Sequence, residues 1–168
     1  MAMKEIKTRE IDENVFKMIA DEWMLICAGD ENRHNMMTAS WGFLGEMWGK
    51  ECSTVAIRPS RYTFDLVENS DTYALCFMGD MRDVYNLCGK ESGRDTDKVK
   101  ATELTPVFED GTMYFEEARL VLICKKMYAD DLKPECFTDK AAAQKWYNND
   151  FHRMFTGEIT KVLVNTEK

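Results

Sequence analysis

The chain has 168 residues, of which 45% are hydrophobic and 31% are charged, a composition typical of a globular domain and not of a disordered or fibrous chain. Its 22 basic and 30 acidic residues give a formal net charge of −8. This argues against general binding to nucleic acid phosphates, because such binding depends on Lys and Arg. The longest apolar runs, residues 23–28 and 120–124, are far shorter than the roughly 20 residues that a membrane span requires. The N-terminus has no signal-peptide pattern, so we expect a cytoplasmic protein that binds neither nucleic acid nor membranes.

The use of cysteine and histidine argues against disulfides and metal centres. No two of the six cysteines form a CxxC pair, and most have apolar neighbours. We therefore expect free thiols that mostly fill the core. Only His34 and His152 are available as imidazole ligands, so we expect no metal site.

The first half of the chain alternates apolar runs with turn residues. We treat residues 1–168 as a single domain with an ordered core at about residues 10–165 and a loose N-terminal tail. Hydrophobic periodicity predicts these elements: a short helix at 14–21, strands at 23–29, 34–42 and 52–58, a helix from Ser60 to about residue 68, and a strand at 72–77.

The second half begins with a well-marked helix, which Asp80 should cap and Gly89 should end. A polar segment follows at residues 90–98. Asp110-Gly111 then predicts a hairpin between residues 107–109 and a long strand at 112–128. A helix at 138–147 and a strand at 153–165 complete the chain. About seven strands without regular βαβ alternation predict a mainly β (α+β) fold, a small antiparallel barrel with peripheral helices.

Three segments are candidates for a functional site. In residues 35–42, Thr38 and Ser40 place small hydroxyl side chains on a strand, which leaves room for a flat molecule; the alternative is a half-buried strand with one polar face. In Arg58-Pro59-Ser60-Arg61-Tyr62-Thr63, guanidinium groups, hydroxyls and a helix start suit a phosphate dianion; the alternative is a solvated helix start.

The third segment, residues 89–98, is a glycine-bearing polar loop that can bring backbone donors and Lys98 to an anion; the alternative is a plain surface loop. It matches neither a P-loop nor GxGxxG. No serine–histidine–aspartate order is evident. Cys88 would be a nucleophile only with a base nearby, and the sequence places none there.

Taken together, these segments resemble the flavin reductase-like family of FMN-binding split β-barrels, its flavoredoxin branch in particular. The resemblance covers about residues 20–165. The matching segments, in chain order, are Asn35-Met36-Met37-Thr38-Ala39-Ser40-Trp41-Gly42, Trp48-Gly49-Lys50, Arg58-Pro59-Ser60-Arg61-Tyr62-Thr63, Asn86-Leu87-Cys88-Gly89, Ser92-Gly93-Arg94-Asp95-Thr96-Asp97-Lys98, Leu104-Thr105-Pro106 and Gly157-Glu158-Ile159.

The resemblance implies a Greek-key split barrel that forms a homodimer, with one tightly bound FMN per protomer near the dimer interface. It also implies three groups of cofactor-binding residues. The flavin would be bordered by Asn35, Met36, Met37, Thr38, Ala39, Ser40 and Trp41. Its phosphate side would be formed by Arg58, Ser60, Arg61 and Thr63, with Ile57 beside them. The cofactor would be covered by Cys88, Gly89, Ser92, Gly93, Arg94, Asp95 and Lys98.

The family's reductases often carry Gly-Asp-His before the last strand, where the histidine faces the nicotinamide. This chain has Asn149-Asp150-Phe151-His152, with an additional phenylalanine, so His152 is a candidate nicotinamide contact in an altered setting. The implied function is an FMN-dependent oxidoreductase, either a flavin reductase or a flavoredoxin-like electron carrier, supplied by NADH, NADPH or a redox partner protein. The alternatives are a non-enzymatic flavin-binding or flavin-storage protein, and an interaction domain that has lost its cofactor. The retained arginines and the 92–98 loop argue against the last.

Overall fold

The computed structural model describes residues 3–167 of the chain. These residues form ten strands: β1 (Met3–Ile6), β2 (Met24–Gly29), β3 (His34–Ala39), β4 (Gly42–Met47), β5 (Lys50–Ile57), β6 (Thr72–Phe77), β7 (Pro106–Glu109), β8 (Thr112–Phe115), β9 (Leu120–Asp131) and β10 (Arg153–Asn165). They also form four α-helices: α1 (Tyr62–Asn69), α2 (Arg82–Lys90), α3 (Lys98–Thr102) and α4 (Lys140–Trp146). A π-helical turn at Lys17–Glu22 and short 3₁₀ turns at Thr8–Glu10 and Pro134–Cys136 complete the described structure.

One antiparallel sheet dominates the fold. Its strands lie in the order β3-β2-β6-β9-β10-β5-β4, and β1 pairs with the far end of β10. The strands β7 and β8 form a separate hairpin. Asp110 and Gly111 join them with φ angles of 51° and 75°, the left-handed conformation that an Asp-Gly turn adopts readily. The prediction of a mainly antiparallel β fold with peripheral helices is confirmed.

Alternate residues of the central strands fill two separate cores. In β2, Ile26 belongs to the cluster that contains Val55 and Phe155, whereas Cys27 belongs to the cluster that α2 and the β7–β8 hairpin cover. This period of two is the expected behaviour of a sheet that is buried on both faces. Five of the six cysteines are buried, as predicted for core-filling thiols, and Cys136 is exposed. Within residues 3–167, no helix combines the length and the apolar character that crossing a bilayer requires.

Two predicted strands are each interrupted in the structure. The strand predicted at 34–42 ends at Ala39, and Gly42 begins β4, which the prediction missed. The strand predicted at 112–128 is broken after Phe115, where Ala118 N donates to Phe115 O at 3.1 Å in a turn. Ser40 and Trp41 lie at the first break, where the pattern gives little sign of an end. Glu116-Glu117-Ala118-Arg119 lies at the second, and these charged residues were a signal that the prediction did not use.

The predicted helix starts are wrong by one turn or less. Helix α1 begins at Tyr62 with Arg61 as its N-cap residue, because the Ser60 hydroxyl donates to Asp150 Oδ2 at 2.6 Å instead of capping the helix. Helix α2 begins at Arg82, not at Asp80, and Gly89 lies inside its last turn, not beyond it. Helix α3, within and after the segment predicted as a loop, was missed.

The prediction of a loose tail before residue 10 is also wrong. Residues Met3–Ile6 form β1, whose register pairs Met3 with Asn165 and Ile6 with Val162. Main-chain pairing with the long strand β10 orders this segment, although its own four residues show little hydrophobic pattern.

Candidate functional site

Three neighbouring strands, β4, β5 and β10, have ends that lie side by side at one end of the sheet. Gly42 pairs with Val55, and Arg153 pairs with Ile57. The residues just outside these pairs, Trp41, Arg58 and His152, are therefore brought together by strand register, although they are distant in the sequence.

These residues surround an aromatic cavity with a volume of about 250 Å³. The end of β3 forms one wall, where the small side chains of Thr38, Ala39 and Ser40 leave space beside the backbone. The aromatic cavity is lined by Met37, Thr38, Ala39, Ser40, Trp41, Ala56, Arg58, Arg61, Gly89, Trp146 and His152.

A second, polar cavity of about 210 Å³ adjoins the first. The two cavities share Met37 and Arg61 as lining residues, so they lie next to each other, and we call the pair the groove. The polar cavity is lined by Asn35, Met37, Ser60, Arg61, Tyr62, Thr63, Lys90, Glu91, Ser92, Gly93 and Lys98.

Arg61 lies at the junction of the two cavities. Its Nη2 donates to Gly89 O at 3.0 Å and to Cys88 O at 3.4 Å, at the C-terminal end of α2. Desolvation by burial lowers the pKa of its guanidinium. Nη2 is the only nitrogen of the Arg61 side chain that has a protein acceptor within residues 3–167. The N–H groups of its other side-chain nitrogens are therefore available to an anion in the groove.

Arg58 lies in the aromatic cavity and has different partners. Its Nη1 donates to Asp150 O at 2.7 Å and its Nη2 to Trp146 O at 2.9 Å. Its Cζ lies 5.1 Å from the ring centroid of Tyr147. The Arg58 guanidinium therefore holds the chain segment around α4.

Lys98 and Asn35 form the floor of the polar cavity. Lys98 is buried, and its Nζ donates to Met36 O at 2.9 Å and to Cys88 O at 3.0 Å, which ties β3 to the end of α2. Burial lowers its pKa to about 8. Asn35 Nδ2 donates to Thr63 Oγ1 at 2.9 Å, so β3 is also tied to α1.

His152 closes the aromatic end of the groove. Its Nδ1 lies 2.8 Å from Tyr147 Oη, and its ring centroid lies 5.2 Å from that of Trp41. Desolvation by burial, with a smaller contribution from the positive charge of Arg58, lowers its pKa to about 4. The imidazole is therefore neutral at physiological pH.

A third cavity of about 310 Å³ continues from the polar one along the 92–98 segment. Tyr62 stands in it with two arginines nearby: the Cζ atoms of Arg33 and Arg94 lie 5.4 Å and 5.2 Å from its ring centroid. Arg94 Nη1 also donates to Ser60 O at 3.2 Å.

The structure brings most of the predicted site residues to this groove. Met37, Thr38, Ala39, Ser40, Trp41, Arg58, Arg61, Gly89 and His152 line the aromatic cavity. Asn35, Ser60, Thr63, Ser92, Gly93 and Lys98 line the polar cavity, and Met36, Arg94 and Asp95 line the third.

Two predicted residues do not line these three cavities. Ile57 and Cys88 are buried in the cores, and Cys88 takes part only through its carbonyl oxygen. Burial raises the pKa of the Cys88 thiol to about 11, which argues against a nucleophilic role. Sequence reasoning missed Trp146; the aromatic pair Trp146-Tyr147 at the end of a short helix was the available signal.

Comparison with known proteins agrees with this arrangement. The profile of the flavin reductase-like domain matches residues 16–168. No curated protein matches the chain.

Solved structures share the fold at low sequence identity. The flavoredoxin of Desulfovibrio vulgaris (Miyazaki F) is 19% identical with a TM-score of 0.69, over 96% of this chain and 78% of its own. The flavoredoxin of Methanosarcina acetivorans is 19% identical with a TM-score of 0.67, over 86% and 69%. An FMN-binding protein from Thermus thermophilus with bound p-hydroxybenzaldehyde is 20% identical with a TM-score of 0.65, over 83% and 69%. The fold is thus the split barrel expected from the sequence, and the chain belongs to the flavin reductase-like domain family.

Proposed function

We propose that the protein is an FMN-dependent oxidoreductase, either a flavin reductase or a flavoredoxin-like electron carrier. The observation that carries this proposal is the groove, in which an aromatic cavity and a polar cavity share the lining residue Arg61. FMN has the same two-part character: a flat ring at one end and a dianionic phosphate at the other.

The groove offers suitable partners to both parts. The small side chains at the end of β3 and the ring of Trp41 suit a flat heterocycle. The hydroxyl of Ser92 and the guanidinium of Arg61 suit a phosphate, whereas the Ser60 hydroxyl is already bonded to Asp150. In a chain of net charge −8, such a local set of donors must offset the unfavourable overall field.

Bound FMN would supply hydride and single-electron chemistry that side chains lack. The residues of this chain would bind and orient the cofactor and limit the access of water and substrates. The neutral His152 and the bonded Arg58 line the side of the aromatic cavity through which a donor would approach. We propose NADH, NADPH or a redox partner protein as that donor.

The test is the colour and reducibility of the purified protein. We expect a yellow protein that retains FMN on gel filtration, and whose flavin absorbance is bleached under anaerobic conditions by NADH, by NADPH or by a reduced carrier protein. A protein that is colourless and binds no added FMN would contradict the proposal. Stable FMN binding without reduction by any of these donors would instead favour the flavin-storage alternative.

We also propose a homodimer. Residues 127–128 of β9 and the β4 end expose large apolar side chains: Phe43 is 67% exposed, Trp48 56% and Tyr128 51%. The Trp48 and Tyr128 rings lie 6.2 Å apart, so these two side chains form one apolar patch. Patches of this kind usually mark an interface, and a self-complementary face suits a second copy. Met36 and Met37 are buried within the protomer and are not part of this patch.

Light scattering at micromolar concentration should give the mass of a dimer for the FMN-loaded protein. Tyr128→Glu should produce a monomer, because it places a charge in the apolar patch. Phe16→Glu is the matched control, since Phe16 is 84% exposed outside this patch, and should remain dimeric. A wild-type monomer with bound FMN would exclude the dimer and leave the proposed flavin chemistry standing.

A further inference from the structure

Residues 132–152 form an unusually long connection between two strands that are already paired. β9 ends at Asp131 and β10 begins at Arg153, and these two residues are register partners. Leu132 N donates to His152 O at 2.9 Å and closes the base of the excursion. A turn of about two to five residues is enough to join such neighbours. The additional chain carries Trp146 and His152 to the aromatic cavity.

This segment packs mainly on itself. Of residues 131–151, all of which the structure describes, none is buried. Phe137, Tyr147 and Phe151 form their own aromatic cluster, with the Tyr147 and Phe151 rings stacked at a centroid distance of 4.6 Å. A segment with so little buried apolar surface depends on a small number of contacts for its position.

The anchoring contacts come from the strand-to-helix turn after β5. Arg58 donates to the main-chain oxygens of Trp146 and Asp150, as described above, and its guanidinium lies over the Tyr147 ring. Ser60 Oγ donates to Asp150 Oδ2 at 2.6 Å. Hydrogen bonds to the main chain fix the backbone itself, so this pair of residues sets the position of the whole segment.

We propose that residues 132–152 are a lid over the aromatic cavity, and that Arg58 and Ser60 are positioning residues that hold this lid in place and thereby determine the size of molecule that reaches the flavin. The role in access rests on the proposed flavin function, whereas the anchoring does not. Arg58 holds Trp146 and His152 against Trp41, whose ring centroids lie 5.0 Å and 5.2 Å from it. These three rings are in contact and close this end of the cavity, so the anchor controls whether they separate to admit a molecule.

Hydrogen exchange of the protein without flavin tests the anchoring. In Arg58→Ala, amides of residues 132–152 should exchange about tenfold faster or more, while those of β6 and β9 keep their rates. Ser60→Ala should give a smaller increase in the same segment, and it covers the case in which Arg58→Ala does not fold. Arg9→Ala, which removes a guanidinium from an exposed ion pair far from the lid, is the matched control. Unchanged exchange in both anchor variants would overturn the proposal.

Flavin titrations and quinone reactions test the consequence for access. In Arg58→Ala, the ratio of the dissociation constants for FMN and riboflavin should stay within about twofold of the wild-type ratio, because a lid anchor does not recognise phosphate. For the photochemically reduced protein, we then compare the rate constants of oxidation by 2-methyl-1,4-naphthoquinone and by the smaller 1,4-benzoquinone. The ratio of the first to the second should be higher in Arg58→Ala than in the wild type. Selective loss of FMN binding would overturn the proposal and make Arg58 a phosphate ligand. If the wild type binds no flavin, the proposed function fails, but the exchange experiment still decides the anchoring.

Discussion

Arg58 and Arg61 are three residues apart, and their side chains have different partners and environments. Arg61 N donates to Arg58 O at 3.0 Å in the turn that joins β5 to α1. Beyond this turn, Arg58 bonds to main-chain oxygens near α4, whereas Arg61 reaches the end of α2 and the polar cavity. One side of the turn thus faces the entrance of the groove, and the other faces its polar interior.

The difference shows that a motif with two arginines does not by itself assign two phosphate ligands. A guanidinium binds an anion only with the N–H groups that the protein leaves unbonded. Arg58 donates one hydrogen bond from each Nη atom to the main chain. Arg61 donates from Nη2 alone among the described residues, so both N–H groups of its Nη1 stay unbonded. The two arginines should therefore respond differently to substitution, and the following predictions test that difference.

The largest effect is expected at Arg61. Arg61→Ala should weaken FMN binding by about ten- to a hundredfold, because a hydrogen bond to a charged group is worth about 1.5–3 kcal/mol. Arg61→Lys should recover part of the loss, since an ammonium lacks the planar fork. Riboflavin, which has no phosphate, should bind weakly and almost equally to all variants. Titration of the apoprotein with both flavins measures these constants.

Arg58→Ala is the matched control in that titration. If both variants bind FMN more weakly but bind riboflavin as the wild type does, the two arginines form one phosphate site. That result would contradict the different roles assigned to them here. If Arg61→Ala weakens FMN and riboflavin equally, or neither, Arg61 is not the phosphate ligand.

Gly93→Ala should disturb the polar cavity and the adjoining third cavity but not the aromatic cavity. A Cβ at Gly93 would lie 2.3 Å from Asn35 Oδ1 and 2.7 Å from Tyr62 Cδ1, so both side chains of the cavity wall must move. We expect a loss of about 1–3 kcal/mol in the free energy of unfolding, the usual cost of overpacking. Urea titration measures it. Gly45→Ala is the control, because no atom lies within 4 Å of the added Cβ; an equal loss in both variants would contradict the explanation.

The free energy of unfolding should depend on pH through His152, which lies at the end of the lid. The pKa of His152 is lowered to about 4 in the folded protein, whereas an unfolded histidine titrates near 6.5. The unfolded chain therefore binds the proton more readily. The contribution of His152 to stability is complete above about pH 6.5 and is lost as the pH falls towards 4, with a slope of at most about 1.4 kcal/mol per pH unit. The free energy of unfolding of His152→Gln should fall less steeply over this interval than that of the wild type. Parallel curves for the two proteins would show that His152 does not titrate in this way.

The sequence predicted strands better than it predicted their interruptions. Residues 72–77 and 153–165 have clear patterns, and both strands occur with the predicted bounds. The break after Ala39 depends on which partner strand each half joins, β2 for β3 and β5 for β4, and that choice is made by the whole sheet. The break after Phe115 coincides with charged residues that the prediction did not use. Likewise, Ser60 is a suitable cap by residue type, but Asp150 competes for its hydroxyl from a distant part of the chain.

For the candidate site, local motifs identified the wall and the polar cavity but not the lid. Residues 35–41 and 89–98 each contribute several consecutive residues to the cavities, so a short sequence motif is enough to identify them. Trp146 reaches the cavity because Arg153 pairs with both Ile57 and Asp131 and because Arg58 holds the segment between them. No short motif encodes that meeting.

The smallest effect is expected at His152 itself. His152→Ala should slow the reduction of bound FMN by NADH by less than about tenfold, or about 1.4 kcal/mol in the activation free energy. The imidazole is neutral, and its Nδ1 is hydrogen-bonded to Tyr147 Oη. Phe151 separates His152 from Asp150 in the sequence. We therefore expect His152 to contact a nicotinamide by packing, without a charge interaction. We therefore expect only modest use of NADH, with a better donor among small redox carriers or partner proteins. Anaerobic stopped-flow measurements at saturating NADH give the rate constant directly. A loss of a hundredfold or more, with FMN affinity unchanged, would make His152 a functional nicotinamide contact and would mean that the lid end of the groove contributes directly to hydride transfer.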